Sequence, residues 1–124
     1  MKKILFPGLL LCSSCAFAGN IPFSIENVIA AYDTRTHGLE DGELTIRYGR
    51  PEVTMDMAES MFEGICGDYF MHKWKPETIK KITLLNITSD QGYKINAGGV
   101  ECKKTGPMHS DQSRAFRASF IEPI

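Results

Sequence analysis

Apolar and polar positions recur along this chain with two different periods, and the change from one to the other marks out its elements. Residues 43–48, Glu-Leu-Thr-Ile-Arg-Tyr, alternate with a period of two. They predict a strand with one buried face, stopped by Gly49-Arg50-Pro51. Beyond that stop the period lengthens. Met55, Ala58, Met61, Phe62, Ile65, Cys66 and Tyr69 recur at i, i+3, i+4 spacing, with Asp56, Glu59, Ser60, Glu63 and Gly67 opposite them, which predicts an amphipathic helix. Thr54 supplies an N-cap, and Asp56 and Glu59 suit the positive end of the helix dipole. The helix should end near Trp74, ahead of Pro76. Gly64 and Gly67 bracket Cys66, and each costs about 0.5–1 kcal/mol of helix propensity. Either they admit a close neighbour or they only weaken the helix.

The rest of the pattern reads as strands and loops. Residues 23–33, rich in Ile, Val and aromatic side chains, predict a first strand, straight or bent, and residues 34–42 a polar loop. Residues 79–88 carry apolar side chains on both faces and predict a central strand. Ser89-Asp90-Gln91-Gly92 turns it into a hairpin partner at 93–97. Gly98-Gly99 suggests a bulge before residues 100–103 continue extended. After a polar loop, residues 115–121 put Phe116, Ala118 and Phe120 on one face of a last strand. Strands, then one helix, then strands predict an α+β domain: an antiparallel sheet of four to five strands with one amphipathic helix packed across it.

The first eighteen residues carry a different kind of information. Lys2 and Lys3, the apolar run from Ile4 to Leu11, and Ala16-Phe17-Ala18 form the three parts of a bacterial secretory signal peptide. The expected exported chain begins at Gly19, and its 106 residues suit a single domain. The apolar run is too short to span a bilayer, so no membrane span is expected. The periplasm is the expected location, with the external medium as the alternative. A lipid anchor on Cys15 is the weaker reading, because Cys12 stands where a lipidation motif has a branched apolar residue.

Subtracting the leader changes the cysteine arithmetic. Cys12 and Cys15 leave with it, and Cys66 and Cys102 remain as one pair, 36 positions apart and without CxxC spacing. In an oxidising envelope such a pair predicts a structural disulfide. The chain-entropy model gives a loop of this length about 4 kcal/mol of stabilisation. Charge changes the picture too. The exported chain holds 12 Lys and Arg against 15 Asp and Glu, which argues against nucleic acid as a partner and offers no polybasic run for an anionic membrane.

Candidate chemistry is sparse. Asp68 and His72 stand i, i+4 on the predicted helix, where a carboxylate could orient an imidazole, but no usable nucleophile lies near and the expected reading is an ordinary solvated ion pair. Met57, Met71 and His72 offer soft ligands suited to Cu(I), whereas Met55 and Met61 belong to the apolar stripe. His37, His72 and His109 are too dispersed to form a recognisable ligand set, so no metal or other cofactor is expected. Asn86-Ile87-Thr88 matches a glycosylation acceptor but falls within a predicted buried strand. At the end of the helix, Phe70, Lys73 and Trp74 combine aromatic bulk with charge, the composition from which interface hot spots are built; packing alone is the competing account of Trp74. The expectation is a non-enzymatic binding protein of the inhibitor or immunity type, acting on another protein of the envelope. An accessory subunit of a secretion or pilus assembly is the alternative, and a small enzyme or copper-handling protein comes third.

Overall fold

A computed structural model describes residues 21–124. The expected leader, Cys12, Cys15 and the start at Gly19 lie outside the described residues. In chain order the elements are α1 (Phe23–Ala30), β1 (Thr34–Glu40), β2 (Glu43–Tyr48), α2 (Met55–His72), a 3-10 turn (Pro76–Thr78), β3 (Lys81–Leu85), β4 (Gly92–Ile95), α3 (Gly99–Lys104), α4 (Ser110–Ala118) and β5 (Ile121–Pro123). The strands form one sheet in the order β1-β2-β3-β4-β5. This is an α+β domain with a five-stranded sheet and a long helix across it, as the periodicity implies.

The details depart from the expectation in ways that have physical causes. The sheet is mixed: β2 and β3 run parallel, and the other three pairings are antiparallel. Parallel neighbours need a long crossover, and α2 supplies it. Residues 23–30 are helical, because Ile25 and Ile29 recur at i+4 and both are buried against the core, which outweighs their strand preference. Residues 34–40 form the edge strand β1, closed onto β2 by Asp41 and Gly42, both with positive φ as a two-residue hairpin requires. Residues 99–104 are helical rather than extended. Glu101 accepts the Gly98 N–H at 2.8 Å, and a Cβ on Gly98 or Gly99 would collide with the backbone of Ile79 or Pro76. The predicted last strand is largely α4, with Phe116 packed edge-on against Phe120 at 5.1 Å.

One sheet face carries the core. Leu44, Ile46 and Tyr48 of β2 and Ile82 and Leu84 of β3 are buried with Ile25 and Ile29 of α1 and Met61, Phe62 and Ile65 of α2. Alternate residues Glu43, Thr45 and Arg47 point to the other, polar face, where Thr83 donates to Glu43 at 2.8 Å. The sulfurs of Cys66 and Cys102 are at disulfide distance, with Cα atoms 5.0 Å apart. The bridge ties helix α2 to helix α3, not a helix to a strand, because Cys102 is helical. A second clamp forms without covalent bonds. The Gln91 side chain bonds both the N–H and the C=O of Val53, and Asn86 Nδ2 donates to Pro51, which fixes the segment entering α2. Asn86 is therefore buried and fully engaged, as its place beside β3 implies.

Candidate functional site

Thr54 starts α2, its hydroxyl accepting the Met57 N–H at 3.2 Å. Lys73 ends it in a left-handed conformation (φ 49°), with its N–H on the Tyr69 carbonyl at 2.7 Å. This cap turns the chain sharply and leads it from the helix into Trp74. The Tyr69 ring stands edge-on to both Phe70 (5.4 Å) and Trp74 (5.1 Å), so one half-buried tyrosine props up two aromatic neighbours. Phe70 is 38 % exposed and Lys73 is exposed, while Trp74 is half-buried against the core. Met71, off the buried stripe of α2, is 78 % exposed.

The Asp68–His72 pair differs from a solvated ion pair. Asp68 is buried, 6 % exposed, because α1 packs over that side of α2. Its carboxylate accepts the Ser24 hydroxyl at 2.6 Å and the Trp74 indole N–H at 3.1 Å on Oδ2, and His72 Nδ1 lies 3.1 Å from Oδ1. The carboxylate stands between the hydroxyl and the imidazole. A nucleophilic triad needs the imidazole in the middle, so Ser24 is not set up to pass its proton to His72. The arrangement instead knits α1, α2 and the segment after α2 together. Sequence spacing located the pair but could not show Ser24, which arrives from a helix 44 residues away.

Two grooves flank this helix end. On the α1 side, Phe23, Ser24, Asn27, Val28, Asp68 and His72 line an open cleft of about 710 Å³, with Phe23 77 % exposed at its rim. On the other side, Cys66, Gly67, Phe70, Gly106 and Arg117 contribute to a groove of about 290 Å³ between α2 and the α3–α4 pair. The two glycines of α2 have separate explanations. A Cβ on Gly64 would meet Val28 Cγ1 at 3.1 Å, so Gly64 lets α1 approach, whereas a Cβ on Gly67 would meet nothing within 4 Å.

The soft-ligand group does not assemble. Met57 lies in the first turn of α2, packed on the core with its sulfur accepting the Thr54 N–H at 3.4 Å, and Met71 and His72 lie in the last. Fourteen residues of helix separate the two methionines by about 21 Å. Among the described residues no three His, Cys, Asp or Glu side chains gather as a metal-ligand set, and no helix is long and apolar enough to cross a membrane. No known protein family, curated protein or solved structure gives a significant match to the chain.

Proposed function

We propose that this is an exported binding protein of the inhibitor or immunity type, and that the end of α2 is the surface with which it occludes an enzyme or toxin of the bacterial envelope. The carrying observation is the exposure of large apolar side chains on both flanks of that helix end: Phe23 of α1 at the cleft on one side, Phe70 at the groove on the other, and Met71 on the same last turn of α2, near exposed Lys73 in sequence. Large apolar groups exposed together and ringed by charge mark interaction surfaces. Beneath them the Tyr69–Trp74–Asp68 contacts and the Cys66–Cys102 bridge hold the helix end in one conformation. Such preorganisation reduces the entropy lost on binding. Export to the periplasm rests on the sequence of residues 1–18.

The test is affinity capture from periplasm with the exported protein, followed by assay of whatever enzyme is retained. The reading expects a stoichiometric enzyme partner whose activity falls on complex formation, and release of that partner by Met71→Glu, which leaves the melting temperature unchanged. A retained enzyme that stays fully active, or binding indifferent to Met71→Glu and Phe70→Ala, counts against it.

One observation favours the second reading, an accessory subunit of an envelope assembly. β1 is a sheet edge in which only Leu39 is buried, and an open edge can pair with a strand from another subunit. Arg35, His37 and Glu40 on that edge work against such pairing, so the helix end stands first.

A further inference from the structure

The groove between α2 and the α3–α4 pair holds two residues that packing within the molecule leaves unexplained. Gly67 sits in the middle of a helix, where glycine is unfavourable, yet a side chain there would meet no atom within 4 Å. Arg117 lines the same groove with its side chain only 14 % exposed. Its nearest carboxylate is Glu63, 3.9 Å away and itself 71 % exposed, and no hydrogen bond reaches the guanidinium among the described residues. A largely desolvated guanidinium presents a fork of N–H donors that matches a carboxylate. The Phe70 ring forms one wall, 3.6 Å from the position a Cβ on Gly106 would take. Charge points the same way. The segment Gly99–Ala118 carries Lys103, Lys104, Arg114 and Arg117 against Glu101 and Asp111, in a chain whose remaining described residues are net acidic.

We infer that this groove receives a carboxylate-bearing segment of the partner protein, with a partner Asp or Glu on the Arg117 guanidinium and the adjoining apolar side chain seated over Gly67 against Phe70. The inference rests on the reading of the helix end as a protein-binding surface and adds the chemistry of what binds. Glu63, which also lines the groove, is an exposed and distant partner at 3.9 Å, so a neutral or cationic segment in this position would leave Arg117 poorly paired, and the guanidinium selects as well as attracts. Gly67 leaves the depth that the apolar side chain fills.

The experiment is an NMR titration of the isotopically labelled exported protein with N-acetyl-Phe-Asp-amide, and separately with its neutral isostere N-acetyl-Phe-Asn-amide. The Asp probe should shift the amides of Gly67, Phe70, Gly106 and Arg117, with an affinity at least tenfold above that of the Asn probe. The response should vanish in Arg117→Met and in Gly67→Leu. The second variant adds bulk where nothing in the molecule is touched, so its melting temperature is expected not to fall. Equal response to both probes, response confined to the Phe23–His72 cleft, or no response overturns the inference. Concentration-dependent self-association abolished by Gly67→Leu, without probe binding, assigns the groove to a second copy and overturns it too. If the exported protein retains a partner that Gly67→Leu fails to release, the groove assignment is wrong and the helix-end reading stands. If it retains none, that reading falls, and the inference with it.

Discussion

The indole N–H of Trp74 donates to Asp68 Oδ2 at 3.1 Å, reaching back six residues across the left-handed cap that ends the long helix. Ser24 donates to the same oxygen from α1, so a single buried carboxylate ties together α1, the last turns of the long helix and the segment that follows it. Trp74→Phe keeps an aromatic ring but removes the N–H and the bulk of the second ring, and should destabilise by at least about 1.5 kcal/mol, the usual loss for a hydrogen bond to a charged group. Asp68→Asn leaves its donors competing for one oxygen and should cost about 1–3 kcal/mol. Urea unfolding of the two variants and the double variant checks this, and strict additivity of the two losses would show that the pair is not coupled.

The disulfide joins two helices that otherwise meet only through side chains. Replacing Cys102 by Ala should lower stability by about 2–5 kcal/mol. Alkylation of the denatured, unreduced protein should label neither Cys66 nor Cys102, and labelling of both would refute the bridge.

Gly64 and Gly67, three residues apart on one helix, should respond in opposite directions. Gly67→Ala adds a methyl group in open space and should stabilise by about 0.5–1 kcal/mol. Gly64→Leu forces a side chain into Val28 and should destabilise by about 1–3 kcal/mol. Thermal melts of the two variants decide it, and a fall in melting temperature for Gly67→Ala would contradict the open space beside it.

The Tyr48 hydroxyl is buried with no hydrogen-bond partner among the described residues. Burial pushes its phenol pKa upward, and the neighbouring Tyr32 adds to the effect. Removing a buried polar group that lacks a partner is neutral or favourable. Tyr48→Phe should therefore match or exceed the parent in stability, and a clear loss in denaturant unfolding would reveal a partner for the hydroxyl.

Asp90 contributes a pH dependence of known sign. Hydrogen bonds from Thr88 and then Asn86 hold its carboxyl below the ordinary aspartate range. Between the lowered folded pKa and the ordinary unfolded one, the unfolded chain binds more protons, so this group's stabilisation rises with pH through that window. It is complete above the unfolded pKa and is lost as pH falls through the folded pKa. The stability gap between the parent and Asp90→Ala should therefore narrow on acidification, and a gap that widens would contradict the assignment.

How legible each element was depends on where its determinants lie. The long helix announced itself because its apolar stripe, its Thr54 cap and its stop before Pro76 are all local. Strands β2 and β3 showed themselves by alternation. Edge strand β1 has a single buried side chain and hence no alternation to read; the signal that could have found it was Asp41-Gly42, a two-residue hairpin turn with an extended segment on each side. Helix α1 was hidden by its β-branched residues, whose preference yielded to burial of Ile25 and Ile29. At the site, Phe70, Lys73 and Trp74 were visible as a cluster because they are neighbours in sequence, whereas Ser24, Gly106 and Arg117 come from other elements and carried no local mark.

The sequence by itself determined the periods and the Thr54 cap of the long helix, since each depends on residues within a turn or two. Only the tertiary structure decided that β2 and β3 run parallel, that Asp68 is buried rather than solvated, and that Gly64 and Gly67 play unlike parts. Those outcomes depend on which distant segment comes to lie against a given face: α1 covers Asp68 and Gly64, while beside Gly67 the flank of α2 stays open. Burial, charge pairing and free space are properties of such juxtapositions, and the pattern along one helix does not contain them.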